Sequence, residues 1–293
     1  MSILLITFSE KTFLMAEMIS FNGHLLPRDG FGLSPENRSF RYGDGLFETI
    51  RVENGKVRWS DRHFKRLTKG ANLLKLQLPS GYDHNRFVDD ILEICRHNHD
   101  EETAIRVRFS LYRNEGGYYT PKLNSATFLI ETSQLQGSGY TLNRRGLLVD
   151  VFEDYYKPCH ALSNIKTASA LIYVMAGLFR KEKNLDDCLL INDERLLAEA
   201  TSSNLFVVMG HRIITPSIDQ ACVEGVMRSV IIEIASAEGF LVEERPVETW
   251  ELPEADEIFL TNAISGISWV VGFREKRYYN TSAQKLIQAL NNC

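Results

Sequence analysis

Residues 161–179 read ALSNIKTASALIYVMAGLF, and a single charge, Lys166, stands in the run between His160 and Arg180. An ammonium set among apolar and small residues loses hydration, so its pKa falls and its neutral amine becomes available as a nucleophile for a Schiff base. The bland alternative is a lysine in the first turn of a helix, its stem on the core and its head in water. The apolar recurrence predicts that helix, and the two readings are separated only by the rest of the chain.

Upstream, MISFNGHLLP (18–27) and LFETIRVENGKVRWS (46–60) each place an Asn-Gly pair between strand-like runs, which predicts two hairpins. From Ser60 the period changes. Phe64, Leu67, Ala71 and Leu74 recur at helical spacing, with Asp61 in the first turn and Pro79 beyond the end, and a second helix is expected over Asn85–His97. In AIRVRFSLYR (104–113) strict alternation puts Ile105, Val107, Phe109 and Leu111 on one face of a strand and Arg106, Arg108, Ser110 and Tyr112 on the other. ATFLIE (126–131) adds one more strand.

The polar, glycine-bearing stretch after it predicts a linker over 133–140, between an N-terminal unit (1–132) and a C-terminal unit (141–293). Beyond the linker we expect the strand GLLVDVFE, the Lys166 helix, two strand pairs ending near Thr215, and a helix on Val226, Val230, Ile231 and Ile234 closed by Gly239. Three further strands and a short helix, SAQKLIQAL, finish the chain. The fold class is α+β, two-lobed, with mixed sheets and flanking helices. No glycine-rich dinucleotide fingerprint is present.

With 293 residues, 44% hydrophobic and 24% charged, the chain is long enough for two modest cores. A net charge of -5 without a basic cluster argues against nucleic acid, and no run approaches the roughly 20 apolar residues of a membrane helix. Small molecules are the expected partners. The opening residues, MSILLITFSEKTFLM, lack the basic region and cleavage site of a signal peptide, and Met18 is an alternative start. Five scattered cysteines show no metal-ligand spacing, so the chain is expected to be cytoplasmic and to bind no metal.

Six segments in order, RYGDGLFETIRVENGKV (41–57), HFKRL (63–67), NIKTAS (164–169), LLAEATSSNLFVV (196–208), EGVMR (224–228) and FLTNAISGI (259–267), together resemble the class IV, or fold-type IV, pyridoxal phosphate enzymes. That family contains branched-chain aminotransferases, D-amino acid aminotransferases and aminodeoxychorismate lyases, and the likeness spans most of the chain. It implies an enzyme using pyridoxal 5'-phosphate, with Lys166 as the covalent anchor and proton shuttle. Glu199 is then the partner of the pyridine nitrogen, where an ordinary strand-end glutamate is the plainer reading. Arg66 is matched to the phosphate arginine, against a solvated helix face shared with Arg62, Lys65 and Lys69. Gly225, Val226 and Met227 open a helix whose amides suit a phosphate, and Asn262, Ala263 and Ile264 match a second phosphate loop. Ser202 and Ser203 match residues beside the ring.

For the substrate the resemblance points to Tyr42 and Phe47, aromatics that could equally be core, and the alternating strand adds Arg106 and Arg108, whose shared face suits a dicarboxylate or surface ion pairs. Arg113 is a similar candidate. A homodimer is implied by the family alone. The segments GVMR, TNAISGISWV and RNEGGYYTP look more like the lyase than the aminotransferases, which commonly carry threonine where Met227 stands. FETIR leans the other way. The first reading is therefore 4-amino-4-deoxychorismate lyase, giving 4-aminobenzoate and pyruvate, and the second an aminotransferase for branched-chain L-amino acids or D-amino acids. A binding module that kept the fold and lost its chemistry is the non-enzymatic alternative, against which Lys166 and Glu199 argue.

Overall fold

The computed structural model describes residues 17–293, so the expectation for the opening residues lies outside the described part. The chain begins with the hairpin β1 (Met18–Phe21) and β2 (His24–Pro27), followed by a one-turn helix α1 (Arg38–Tyr42), β3 (Gly45–Glu53) and β4 (Lys56–Val57). Both Asn-Gly turns adopt positive φ at both residues, 52° and 79° at Asn22-Gly23 and 50° and 66° at Asn54-Gly55, as a tight hairpin needs. Helices α2 (Ser60–Leu73) and α3 (His84–Asn98) come next, then β5 (Ile105–Arg113) and β6 (Ala126–Gln134). The six strands form one sheet in the order β2-β1-β6-β5-β3-β4, antiparallel throughout.

Alternation decides what each face of this sheet does. Ile105, Val107, Phe109 and Leu111 are buried under α2 and α3 with Phe87, Ile91 and Ile94. Arg106 and Arg108 emerge on the opposite face. The same period on β3 sends Leu46, Glu48, Ile50 and Val52 towards the helices and Phe47, Thr49 and Arg51 the other way.

The second sheet has nine strands. It contains β7 (Leu147–Lys157), β8 (Asp187–Asn192), β9 (Leu197–Ala200), β10 (Asn204–Met209), β11 (Arg212–Pro216), β12 (Leu241–Arg245), β13 (Glu257–Asn262), β14 (Gly266–Phe273) and β15 (Lys276–Arg277). Its order is β12-β11-β10-β13-β14-β7-β8-β9, with β15 on β14, and it is mixed: β11–β12, β14–β7 and β7–β8 run parallel. Between β7 and β8 lie the short α4 (Ala161–Asn164) and α5 (Leu171–Glu182), while α6 (Val226–Ala237) and α7 (Thr281–Asn291) cover one face, packing on Phe206 and Phe259, whose rings stack at 5.0 Å. Among the described residues no helix is long and apolar enough to cross a membrane.

The helix expected to hold Lys166 in its first turn is broken there. Residues 165–170 run between α4 and α5, with Ile165 extended at φ -99°, ψ 154°. The cause is the edge of β3, which β4 covers only at its far end. Residues 166–168 take the open end: Phe47 N-H donates to Lys166 O at 3.0 Å, Ala168 N-H donates to Gly45 O at 2.8 Å, and Leu46 and Thr167 form a bridge. Backbone groups of a strand edge demand partners, and this demand outweighs the local helical pattern.

Candidate active site

Between the two sheets opens a cavity of about 1010 Å3. Tyr42 and Phe47, Arg66, Arg106 and Arg108, Lys166, Glu199, Ser202 and Ser203, Gly225 to Met227, and Asn262 to Ile264 all line it, so residues from position 42 to position 264 converge.

Lys166 sits on the cavity wall, reached by solvent from the cavity but otherwise enclosed by protein. Burial and then the Arg66 guanidinium push its amine down from 10.5 to about 8, against the pull of Glu48 and Glu199. About a tenth of the amine is thus neutral at pH 7, far more than for an ordinary lysine. Its Nζ lies 4.6 Å from the Phe47 ring centroid and the Arg108 guanidinium 4.0 Å from it. On the other side Asn164 ties the lysine segment to the connection between β11 and α6, donating to Ile218 O at 2.6 Å and Cys222 O at 2.8 Å.

Glu199 is buried at the end of β9. Its Oε1 accepts from the Lys157 ammonium and from the Tyr173 hydroxyl at 2.7 Å, and its Oε2 from Val223 N-H at 2.9 Å. A carboxylate has about four acceptor positions, so one remains for a donor in the cavity. Burial and the adjacent carboxylate push the Tyr173 phenol up, keeping it a donor.

Lys157 and Tyr173 were not foreseen. Lys157 is 3% exposed, and alternation does not announce it, since Glu153 and Tyr155, in step with the inward Val149 and Val151, are exposed and the register of β7 shifts between Phe152 and Lys157.

Arg66 reaches the cavity from α2 on a buried carboxylate. Its Nε and Nη2 donate to Glu48 at 2.8 and 2.5 Å, and Nη1 to Glu224 O at 3.0 Å. Burial opposes ionisation of Glu48, but Arg66 and His63 outweigh it and hold the carboxyl down to about 2. Burial lowers His63, so it is neutral and donates from Nδ1 to Glu48 at 2.7 Å. Arg66 is therefore fixed in orientation while keeping N-H groups to spare.

The start of α6 has no side-chain cap, which leaves its first amides without partners inside the helix. Gly225 has an ordinary φ of -68°, so space, not conformation, selects it: a Cβ there would stand 1.8 Å from Asn204 Oδ1. The Met227 side chain is turned into the core, so only its backbone is available to the cavity. In the β13–β14 turn Asn262 Oδ1 accepts from the Ile264 and Ser265 amides, and its Nδ2 donates to Ser203 Oγ at 3.0 Å. The Ile264 amide expected for phosphate is thus already engaged.

Among the described residues neither Arg106 nor Arg108 makes a hydrogen bond to a carboxylate, and both face the cavity. Arg113 does not face it. Its guanidinium is consumed by Asp44 at 2.9 Å, Asn124 at 2.7 Å and Leu74 O at 2.6 Å. The five cysteines are unpaired.

Residues 45–272 match the family described as amino-transferase class IV. The chain belongs to this family. Among curated relatives of this class IV enzyme is a putative branched-chain-amino-acid aminotransferase of Methanocaldococcus jannaschii, 28% identical over 85% of each chain. An aminodeoxychorismate lyase of Vibrio harveyi is 25% identical over 80% of this chain and 85% of its own. Of solved structures, the branched-chain aminotransferase of Thermoproteus uzoniensis with norvaline superposes with a TM-score of 0.83 at 22% identity, covering 93% of both chains. The holo, pyridoxal phosphate form of the Thermobaculum terrenum branched-chain aminotransferase gives 0.81 at 18% identity over 93% and 92%. These likenesses show the fold-type IV architecture.

Proposed function

We propose that this class IV enzyme uses pyridoxal 5'-phosphate to split 4-amino-4-deoxychorismate into 4-aminobenzoate and pyruvate. The observation that supports the substrate is Arg106 beside Arg108 on one face of β5, lining the same cavity as Lys166 and without a carboxylate hydrogen-bond partner among the described residues. A substrate with two carboxylates satisfies both guanidiniums.

The donor set suits the cofactor. Lys166 would hold its aldehyde carbon, Glu199 the protonated ring nitrogen through its remaining lone pair, and Arg66 with the α6 amides the phosphate, in a cradle that a Cβ at Gly225 would fill. When bound, the cofactor supplies an electron sink for a carbanion at the substrate carbon. Lys166 Nζ takes the proton from that carbon and returns one as pyruvate leaves. Lys157 and Tyr173 hold the Glu199 side chain in place by hydrogen bonds to Oε1, while Phe47 and Tyr42 exclude water from the reacting carbon. The amino group stays on the aromatic product, so no second substrate is consumed.

The second reading is an aminotransferase, supported by relatives named for branched-chain and D-alanine transamination. In it Lys166 moves the proton in the same place but a keto acid must follow. Purified enzyme given aminodeoxychorismate alone, with pyruvate followed by a coupled reductase, decides between them. Sustained pyruvate release supports the lyase. No release, with turnover of branched-chain L-amino acids or D-alanine only when a keto acid is added, transfers the assignment, and inactivity in every mixture removes both. We further propose a cytoplasmic homodimer, on the unpaired cysteines and on an apolar stripe along α5.

A further inference from the structure

Arg51 connects three parts of the chain. It lies on the cavity-side face of β3, in step with Phe47 and Thr49, and is buried. Its Nη2 donates to Gly139 O at 2.8 Å, in the connection between the sheets, and its Nη1 to Ile264 O at 3.1 Å, in the β13–β14 turn. Glu53 balances the charge at 3.0 Å and also accepts from Gly139 N-H at 2.5 Å. The guanidinium stands 5.0 Å from the Tyr140 ring centroid, and the Tyr140 hydroxyl donates to Ala263 O at 3.3 Å. Asn291 of α7 holds the Tyr140 backbone by both its N-H and its C=O at 2.8 Å.

These bonds settle the groups of the turn one by one. The carbonyls of Ala263 and Ile264 are held by Tyr140 and Arg51, and the amides of Ile264 and Ser265 by Asn262. The Ala263 amide finds no acceptor among the described residues, and Ala263 lines the cavity. A turn held at two carbonyls and two amides presents that one N-H in a set place, which is what an anionic oxygen needs from a preorganised donor.

We propose that Arg51 is a positioning residue for the Asn262–Ser265 wall, holding the Ile264 carbonyl directly from the first sheet and backing the Tyr140 ring whose hydroxyl holds the Ala263 carbonyl, so that the Ala263 amide is presented to the phosphate of the occupant. The proposal rests on the reading of the cavity as a pyridoxal phosphate site. Lysine at position 51 keeps the charge for Glu53 but cannot span both Gly139 O and Ile264 O.

The test titrates apo wild type, Arg51→Lys and Tyr140→Phe with pyridoxal phosphate and, separately, with phosphate-free pyridoxal, following fluorescence quenching. Arg51→Lys should bind pyridoxal phosphate about tenfold more weakly, the scale of one to two hydrogen bonds, with pyridoxal changed less than about twofold. Tyr140→Phe should show the same selective loss at about threefold, and carries the test alone where the first variant does not fold. Equal losses for both ligands, or none for either, overturn the role of Arg51. Wild type that binds neither aldehyde removes the cofactor reading itself, and with it this proposal.

Discussion

At Lys166 the governing quantity is the cost of holding a charge in a partly enclosed site beside another cation. The amine, pushed down to about 8, is protonated below that pH and neutral above it. Uptake of pyridoxal phosphate by the apo enzyme should therefore accelerate about tenfold per pH unit up to about 8 and then level, since only the neutral amine attacks. Stopped-flow absorbance gives the profile, and a midpoint near 10.5 contradicts the placement. Glu199→Ala should slow turnover at least about a hundredfold while leaving the buried Lys157 ammonium unpaired, a loss of about 3–5 kcal/mol measurable by denaturant unfolding. Glu199 was readable as the carboxylate of a motif, but Lys157 was not: a lysine after two tyrosines declares nothing until β8 and β9 bring Glu199 against it.

At the scale of elements, residues whose surroundings are local were legible. The alternation of β5 and the two Asn-Gly turns follow from side-chain period and φ preference alone, and the structure reproduces both. The stretch around Lys166 was not legible, because its conformation answers to the edge of β3, some 120 positions earlier, and no window of sequence holds both. The start of α6 combines the two cases. Its helical period is visible in the sequence, whereas the reason for Gly225, the nearness of Asn204, is not. Gly225→Ala should push Asn204 off Val223 O and weaken pyridoxal phosphate binding by about 1–3 kcal/mol, the price of a lost buried hydrogen bond, with little change in helix content. Equilibrium dialysis and far-ultraviolet circular dichroism measure the two halves, and unaltered affinity would remove the cradle from the site.

For the whole molecule, α5 leaves Leu171, Val174 and Leu178 at 72%, 56% and 49% exposure, one apolar stripe whose first member borders the cavity. If the proposed homodimer forms through this stripe, sedimentation should give twice the chain mass. Val174→Glu with Leu178→Glu should return monomers with a more open site; a monomeric wild type excludes the dimer. Acid stability is a property of the first sheet and its helices together. Glu48 is ionised in the folded state down to about 2 instead of 4.5, so its contribution is complete above about pH 4.5 and disappears as the pH falls towards 2. A Glu48→Gln variant should lose stability at pH 7 and show a flatter acid limb between those values in calorimetry.

The backbone bridge between Leu46 and Thr167 also constrains how such a gene can be shuffled. Because the reactive amine is shaped by an edge supplied from the opposite half, chimeras that join the front of one relative to the back of another inherit a lysine loop and a strand rim that never evolved together. Crossovers in the connection after β6 should give folded hybrids with misregistered chemistry, while those that move residues 41–57 and 164–169 as a pair should stay active.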